Sequence, residues 1–211
     1  MNLSRPLRSL IPSLEGEVLT VLAGAELAFT GKQVQEIIGK YTPPGVRNAL
    51  KKLSVQGIVT TKPAGAANLY ELNREHILAK YIIQIANIRA ELFESLKIEV
   101  GAWEIPSDCV AVFGSAARND MTPESDIDIF ISRSDITEFG DIAWRRQLTD
   151  FSLRVGRWTG NSVNIFEIGK DEIEKELSVK GGVLHSIIEQ GSVIYGPPNY
   201  LRKLRRNGKG F

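Results

Sequence analysis

Asp126 and Asp128 stand two residues apart in "VFGSAARNDMTPESDIDIFI", the stretch from Val112 to Ile131, and they open an apolar run. In an extended strand successive side chains point to opposite faces, so Ile127, Ile129 and Ile131 share one face while the two aspartates share the other. Carboxylates held that close repel one another, and one or two hard divalent ions bound through oxygen relieve the repulsion. Magnesium with a polyphosphate fits that description. Upstream, "CVAVF" reads as a buried strand that ends at Gly114 and Ser115, a tight turn whose backbone N–H groups suit an anion. An Asp-x-Asp triplet alone is common and better suits a solvated strand edge. The conjunction favours a site: apolar strand, Gly-Ser, a spacer of ten residues (Ala116 to Ser125), then Asp-x-Asp opening a second apolar strand.

That arrangement resembles the minimal nucleotidyltransferases of the DNA polymerase beta superfamily, whose motif is Gly-Ser, ten residues and Asp-x-Asp. The resemblance extends over about residues 85 to 196, through a helix at "DIAWRRQLTDFSLRV", a third strand at "SVNIFEI" and a closing helix and turn at "HSIIEQGSVIYG". It implies that Gly114 and Ser115 cradle the triphosphate of a nucleoside triphosphate and that Asp126 and Asp128 bind Mg2+, two ions being within the family's pattern. Arg118 and Ser125 occupy positions where the family commonly has an arginine and a serine at the nucleotide. The reaction implied moves a nucleoside monophosphate onto a hydroxyl of a protein or a small molecule. Relatives include antibiotic adenylyltransferases and antitoxins that modify HEPN-domain toxins, so a HEPN-domain toxin is one protein acceptor the resemblance brings in. One position departs from the pattern. The family often has a third carboxylate on the third strand as general base, and the matching position here is Asn164, whose amide cannot take the proton. Glu167 lies three residues on, and alternation sends it to the opposite face; it takes a catalytic role only if the strand bulges or the register shifts. An active enzyme and a domain that binds nucleotide without turning it over both stay open.

The elements ahead of the motif have a different character. Residues 1 to 74 carry 9 Lys and Arg against 5 Asp and Glu, whereas residues 75 to 211 carry 17 against 20, so the net charge of +1 hides a basic segment and an acidic one. "PSLEGEVLTVLAG" predicts a first helix with Leu14, Val18, Val21 and Leu22 on one face. "TGKQVQEIIGK" predicts a second, opened by a Thr30/Gln33 capping box and ended by Gly39. "TPPGVRNALKKLSVQG" predicts a third, with Thr42 as N-cap and Val46, Ala49, Leu50 and Leu53 facing inward. "IVTTK" and "NLYELN" read as strands joined by "PAGAA", a small-residue hairpin. This order resembles a winged helix-turn-helix domain over residues 13 to 73. By position the resemblance puts Arg47, Asn48, Lys51 and Lys52 of the third helix against DNA bases or phosphates, with Lys62 near the wing. A solvated helix face on a protein-contact module is the alternative.

Between the two segments, Glu75 to Leu96 holds no Gly or Pro, and Ile77, Tyr81, Ile85, Ile88, Leu92 and Leu96 recur at helical steps. One long amphipathic helix is expected, packing on a core or forming a homodimer seam. The expected architecture is α+β with an α/β part: a winged helix-turn-helix domain (1–74), a connecting helix (75–97), a nucleotidyltransferase fold with a small mixed sheet (98–198) and a frayed basic tail (199–211). The single cysteine, Cys109, and two histidines far apart in sequence supply neither an internal disulfide nor a Cys/His zinc site. No apolar run reaches the length of a membrane span and no signal peptide is evident, so a cytoplasmic protein without a membrane partner is expected.

Overall fold

The computed structural model describes residues 1–135, 137–138, 140–179 and 181–207, without the side chains of 171 and 205–207, and it divides into two compact units. One comprises Ser4–Arg89 with Asn2; the other starts at Ala90 and includes Met1 and Leu3.

The first unit begins with a short helix the sequence reading misses, α1 (Pro6–Leu10). It is tied to α2 (Leu14–Ala23) by Arg5 and Arg8, whose guanidinium groups reach the Glu17 carboxylate at 2.7 and 3.0 Å. Glu17 is buried, and this double pairing supplies the neutralisation that a buried charge needs. There follow β1 (Phe29–Thr30), α3 (Gly31–Ile38), α4 (Pro43–Val55), β2 (Val59–Ala64) and β3 (Ala67–Leu72), with the strands antiparallel in the order β1-β3-β2. The punctuation is as expected. Thr30 and Gln33 form the capping box, Gly39 ends α3 with φ +75°, and the Thr42 side chain accepts from Gly45 N at the start of α4. Val18, Leu22, Val34, Val46, Leu50 and Leu53 form the core of this unit. The hairpin is tighter than expected: the ladder runs to Ala64 opposite Ala67, leaving Gly65 and Ala66 to turn the chain.

The long connecting helix is not continuous. α5 (Ala79–Ala86) and α6 (Ile88–Gly101) meet at Asn87, and residues 75 to 78 form turns stabilised by Leu78 N donating to His76 Nδ1 at 3.2 Å. The stripe shifts accordingly. α5 buries Ala79 and Ile82, while Ile77 and Tyr81 of the expected seam are exposed; α6 keeps the expected Leu92 and Leu96 buried.

The second unit is built on β4 (Ser107–Phe113), α7 (Gly114–Arg118), β5 (Ile127–Arg133), α8 (Ile142–Thr159), β6 (Val163–Gly169), α9 (Lys170–Ser178), α10 (Val183–Gln190), β7 (Ser192–Tyr195) and α11 (Tyr200–Asn207). Its sheet runs β6-β5-β4-β7 and is mixed, as expected: β5 and β6 are parallel, joined through α8, and the other pairs are antiparallel. Trp144, Leu148, Phe151 and Val155 of α8 are buried, and Trp144 meets the sheet through its indole N–H on Glu167. On the opposite face Cys109, Ala111, Phe130 and Ile168 pack with Leu184 and Ile187 of α10 and Leu201 and Leu204 of α11. The C-terminal segment is therefore not a frayed tail through residue 207. Its leucines, Leu201 and Leu204, are at i and i+3 and bury against the sheet, leaving Arg202 and Lys203 exposed. Lys209 and its neighbours from 208 onward lie outside the described residues. Among the described residues, no helix is long and apolar enough to cross a membrane.

Candidate nucleotide site

The site assembles where β4 ends and β5 begins. Phe113 is the register partner of Asp128 across the β4/β5 ladder, so the Gly114–Ser115 turn that follows Phe113 must lie beside the start of β5. Gly114 has φ +63°, a left-handed conformation that glycine adopts without strain, and a Cβ there would collide with Asp128 Oδ2. Only glycine lets the turn and the carboxylate come that close. Gly114→Ala is expected to cost about 1–2 kcal/mol from backbone conformation alone, with the collision at Asp128 added. Denaturant unfolding measures the first effect, and nucleotide affinity should fall further than stability does.

Asp126 precedes β5 by one residue and Asp128 lies within it, both half-buried. β5 and β6 run parallel with Asp128 opposite Asn164, and Asn164 Nδ2 donates to Asp126 Oδ2 at 3.0 Å and to Asp128 Oδ1 at 3.3 Å. The expected alternation thus brings Asp126, Asp128 and Asn164 to one place. Burial pushes the Asp128 carboxyl above its ordinary value and the charge of Asp126 adds to that, while the Asn164 hydrogen bond and Arg118 oppose it. A half-buried carboxylate pair of this kind is stabilised by positive charge.

Glu167 goes elsewhere. The ladder runs without a bulge from Ile127 opposite Val163 to Arg133 opposite Gly169, so three residues beyond Asn164 means the other face. There Glu167 Oε1 accepts from Arg133 at 2.7 Å and from the Trp144 indole at 2.9 Å. Neither condition for its catalytic role, a bulge or a shifted register, is met.

Arg118, at the end of α7, donates from Nε to Asp120 at 3.0 Å and from Nη1 to Gln190 Oε1 at 2.8 Å, which places it between the motif and the end of α10. Ser125 faces inward to its own loop. Its hydroxyl accepts from Thr122 N at 2.9 Å, and its carbonyl accepts from Asn161 Nδ2 at 2.8 Å. Asn161 also reaches the Pro123 carbonyl at 3.3 Å, so a buried amide from the segment between α8 and β6 pins the loop that delivers Asp126. Sequence reasoning misses Asn161 and Gln190. The only trace of the former is Gly160, which ends α8 in a left-handed turn and so aims the next residue at the loop.

His185 bonds the Leu177 carbonyl at 3.0 Å and Cys109 is buried with its thiol pushed up to about 12, chiefly by burial; both serve the fold. Magnesium is commonly held by one or two carboxylates together with substrate phosphates rather than by a full protein cage. Two carboxylates facing a glycine turn suit that mode, and among the described residues no group of three or more acids, cysteines or histidines offers another metal centre.

In the first unit, Arg47, Asn48, Lys51 and Lys52 are exposed on the face of α4 opposite its buried residues, and Lys62 is exposed on β2. Lys52 pairs with Glu15 at 2.9 Å and Lys62 with Glu71 at 2.6 Å.

Among curated proteins nothing matches the chain. Solved structures similar to parts of it include a toxin-antitoxin with AMP-PNP, at 18% identity over 56% of this chain and 84% of that chain, TM-score 0.40. A mutant of the toxin-antitoxin MntA-HpeT is 13% identical over 58% of this chain and 84% of that chain, TM-score 0.37. TrmBL2, an archaeal chromatin protein, is 17% identical over 88% of this chain and 78% of that chain, TM-score 0.31. Residues 89–187, which span the β4 turn, the aspartate pair and the strand of Asn164, match the model of the family described as Nucleotidyltransferase domain.

Proposed function

We propose that the second unit transfers a nucleoside monophosphate from a magnesium-bound nucleoside triphosphate to a hydroxyl of a protein or small molecule, and that the first unit is a winged helix that binds DNA. The observation that carries the first part is the register that sets the Gly114–Ser115 turn against Asp128, with Asp126 and Asn164 at the same point. In this reading the turn holds the triphosphate tail, its missing Cβ leaving room for phosphate next to the carboxylates. Asp126 and Asp128 hold magnesium, which when bound screens phosphate charge and supports in-line displacement. Arg118, steered by Gln190, offers its charge to the nucleotide from the side of α10, and Asn161 keeps the Asp126 loop from moving away.

The test is incubation of the full chain and magnesium with nucleoside triphosphates labelled at the α-phosphate, with candidate acceptors including a HEPN-domain protein. Label on an acceptor, abolished by EDTA, is the expected result. Nucleotide retained on the chain with no labelled acceptor favours a second reading, a DNA-binding regulator whose second unit only holds nucleotide. Asn164 is the observation behind that reading, since no carboxylate occupies the third position beside the aspartates.

The DNA reading rests on α4, which exposes Arg47, Lys51 and Lys52 across its middle, and on the helix and hairpin order of the first unit. Lys52 and Lys62 already have carboxylate partners, so Arg47 and Lys51 should carry most of the phosphate contact. Each phosphate neutralised contributes about 0.9 to the slope of log affinity against log salt. Arg47→Gln/Lys51→Gln in the full chain is expected to flatten that slope by about two, and Lys52→Gln/Lys62→Gln by less. Fluorescence anisotropy with a duplex from the gene's own promoter measures both; an unchanged slope in both variants moves the first unit to protein contact.

A further inference from the structure

We propose that Asn164 restricts the aspartate pair to a single divalent cation, an inference that rests on the nucleotidyltransferase reading and concerns how many ions the site holds. The pair has two flanks. On one, the Asn164 amide nitrogen sits 3.0 Å from Asp126 Oδ2 and 3.3 Å from Asp128 Oδ1, taking one oxygen of each carboxylate. On the other, Asp128 Oδ2 faces the Gly114 turn, close enough that a Cβ there would strike it. A cation that serves the turn enters by the second flank, while the first is already filled by a hydrogen-bond donor.

Charge points the same way. Two ions in one catalytic site stand about 3.5–4 Å apart and share carboxylate oxygens, whose negative charge offsets their mutual repulsion. Of the described residues only Asp126 and Asp128 bring negative charge to the pair, so an ion on the Asn164 flank would draw the rest of its ligand charge from the nucleotide alone. Asn164 adds none, and its NH2 group carries a partial positive charge toward both carboxylates. Turning the amide to present Oδ1 would supply a neutral ligand, lose both hydrogen bonds and still add no charge. The amide thus occupies the first flank and brings no negative charge to it. Asparagine here acts as a positioning residue: it holds the two aspartates together before the metal arrives and keeps a second ion out.

Manganese counting tests this without reference to turnover. The full chain is dialysed to equilibrium against Mn2+ and a saturating non-hydrolysable ATP analogue, and manganese retained per chain is read by electron paramagnetic resonance after acid release. The wild type is expected to retain one ion and Asn164→Asp two, the latter showing the line broadening of two coupled manganese ions in spectra taken before acid release. Two ions on the wild type, or one on a folded Asn164→Asp, overturns the proposal. The wild-type count decides by itself if Asn164→Asp does not fold. No ion and no nucleotide on the wild type sinks the nucleotidyltransferase reading, and this inference with it, which separates that failure from a count of two.

Discussion

Changing Asp126 and Asp128 together to asparagine is expected to abolish magnesium-dependent ATP binding while leaving the chain folded. The charge that draws the cation comes from these two groups, and among the described residues no group of three or more acids, cysteines or histidines stands in reserve. Residues one shell removed from a metal typically change its affinity about 10–100-fold, so removing both direct carboxylates should exceed about 100-fold and put binding beyond calorimetric detection. Stability should hold or rise slightly. Burial and mutual repulsion push Asp128 toward its neutral form, so the native pair is a local strain that asparagine relieves. Calorimetry with and without magnesium, alongside thermal unfolding, measures both arms. A double variant that binds as tightly as the wild type would place the metal elsewhere and dismantle the site described above.

Asn164→Asp is expected to raise nucleotidyl transfer to a suitable hydroxyl. The new carboxylate would stand opposite Asp128 in the β5/β6 ladder, at the point where a base is needed to take the acceptor's proton. General-base assistance is typically worth about 10²- to 10⁴-fold, and a gain in that range in single-turnover rate is the expected outcome. In a domain that only holds nucleotide, the same change tightens metal binding and yields no product. Loss of an existing activity would instead assign Asn164 to orienting the acceptor, and the proton would then leave by way of the substrate itself.

Much of this site could be read in the residues because it is written in short-range rules. Alternation along one strand pairs Asp126 with Asp128, the Gly-Ser turn follows from an apolar run that stops, and parity alone sends Glu167 away from Asn164. What could not be read depends on contacts between distant segments. Asn161 reaches Ser125 across 36 positions and Gln190 reaches Arg118 across 72, and neither residue type announces such a partner. The charged residues misled for a related reason. Nothing near Glu17 in sequence announces that Arg5 and Arg8 will sit on it, and the arginines and lysines near the C-terminus look like a frayed tail until Leu201 and Leu204 are found in the core. The unbroken periodicity from Ile77 to Leu96 was the strongest helical signal in the chain, yet periodicity reports which residues could share a face and not whether the backbone turns at Asn87.

β6 sends Asn164 toward the aspartates and Glu167 toward Arg133 and Trp144. One face of a single strand therefore meets the aspartate pair while the other holds the domain's shape, and the two can change independently. The residue at 164 can be exchanged between acid and amide without unsettling the Glu167 anchor on the opposite face. On the proposed reading, turnover and the shape of the domain are therefore set from opposite faces of one strand.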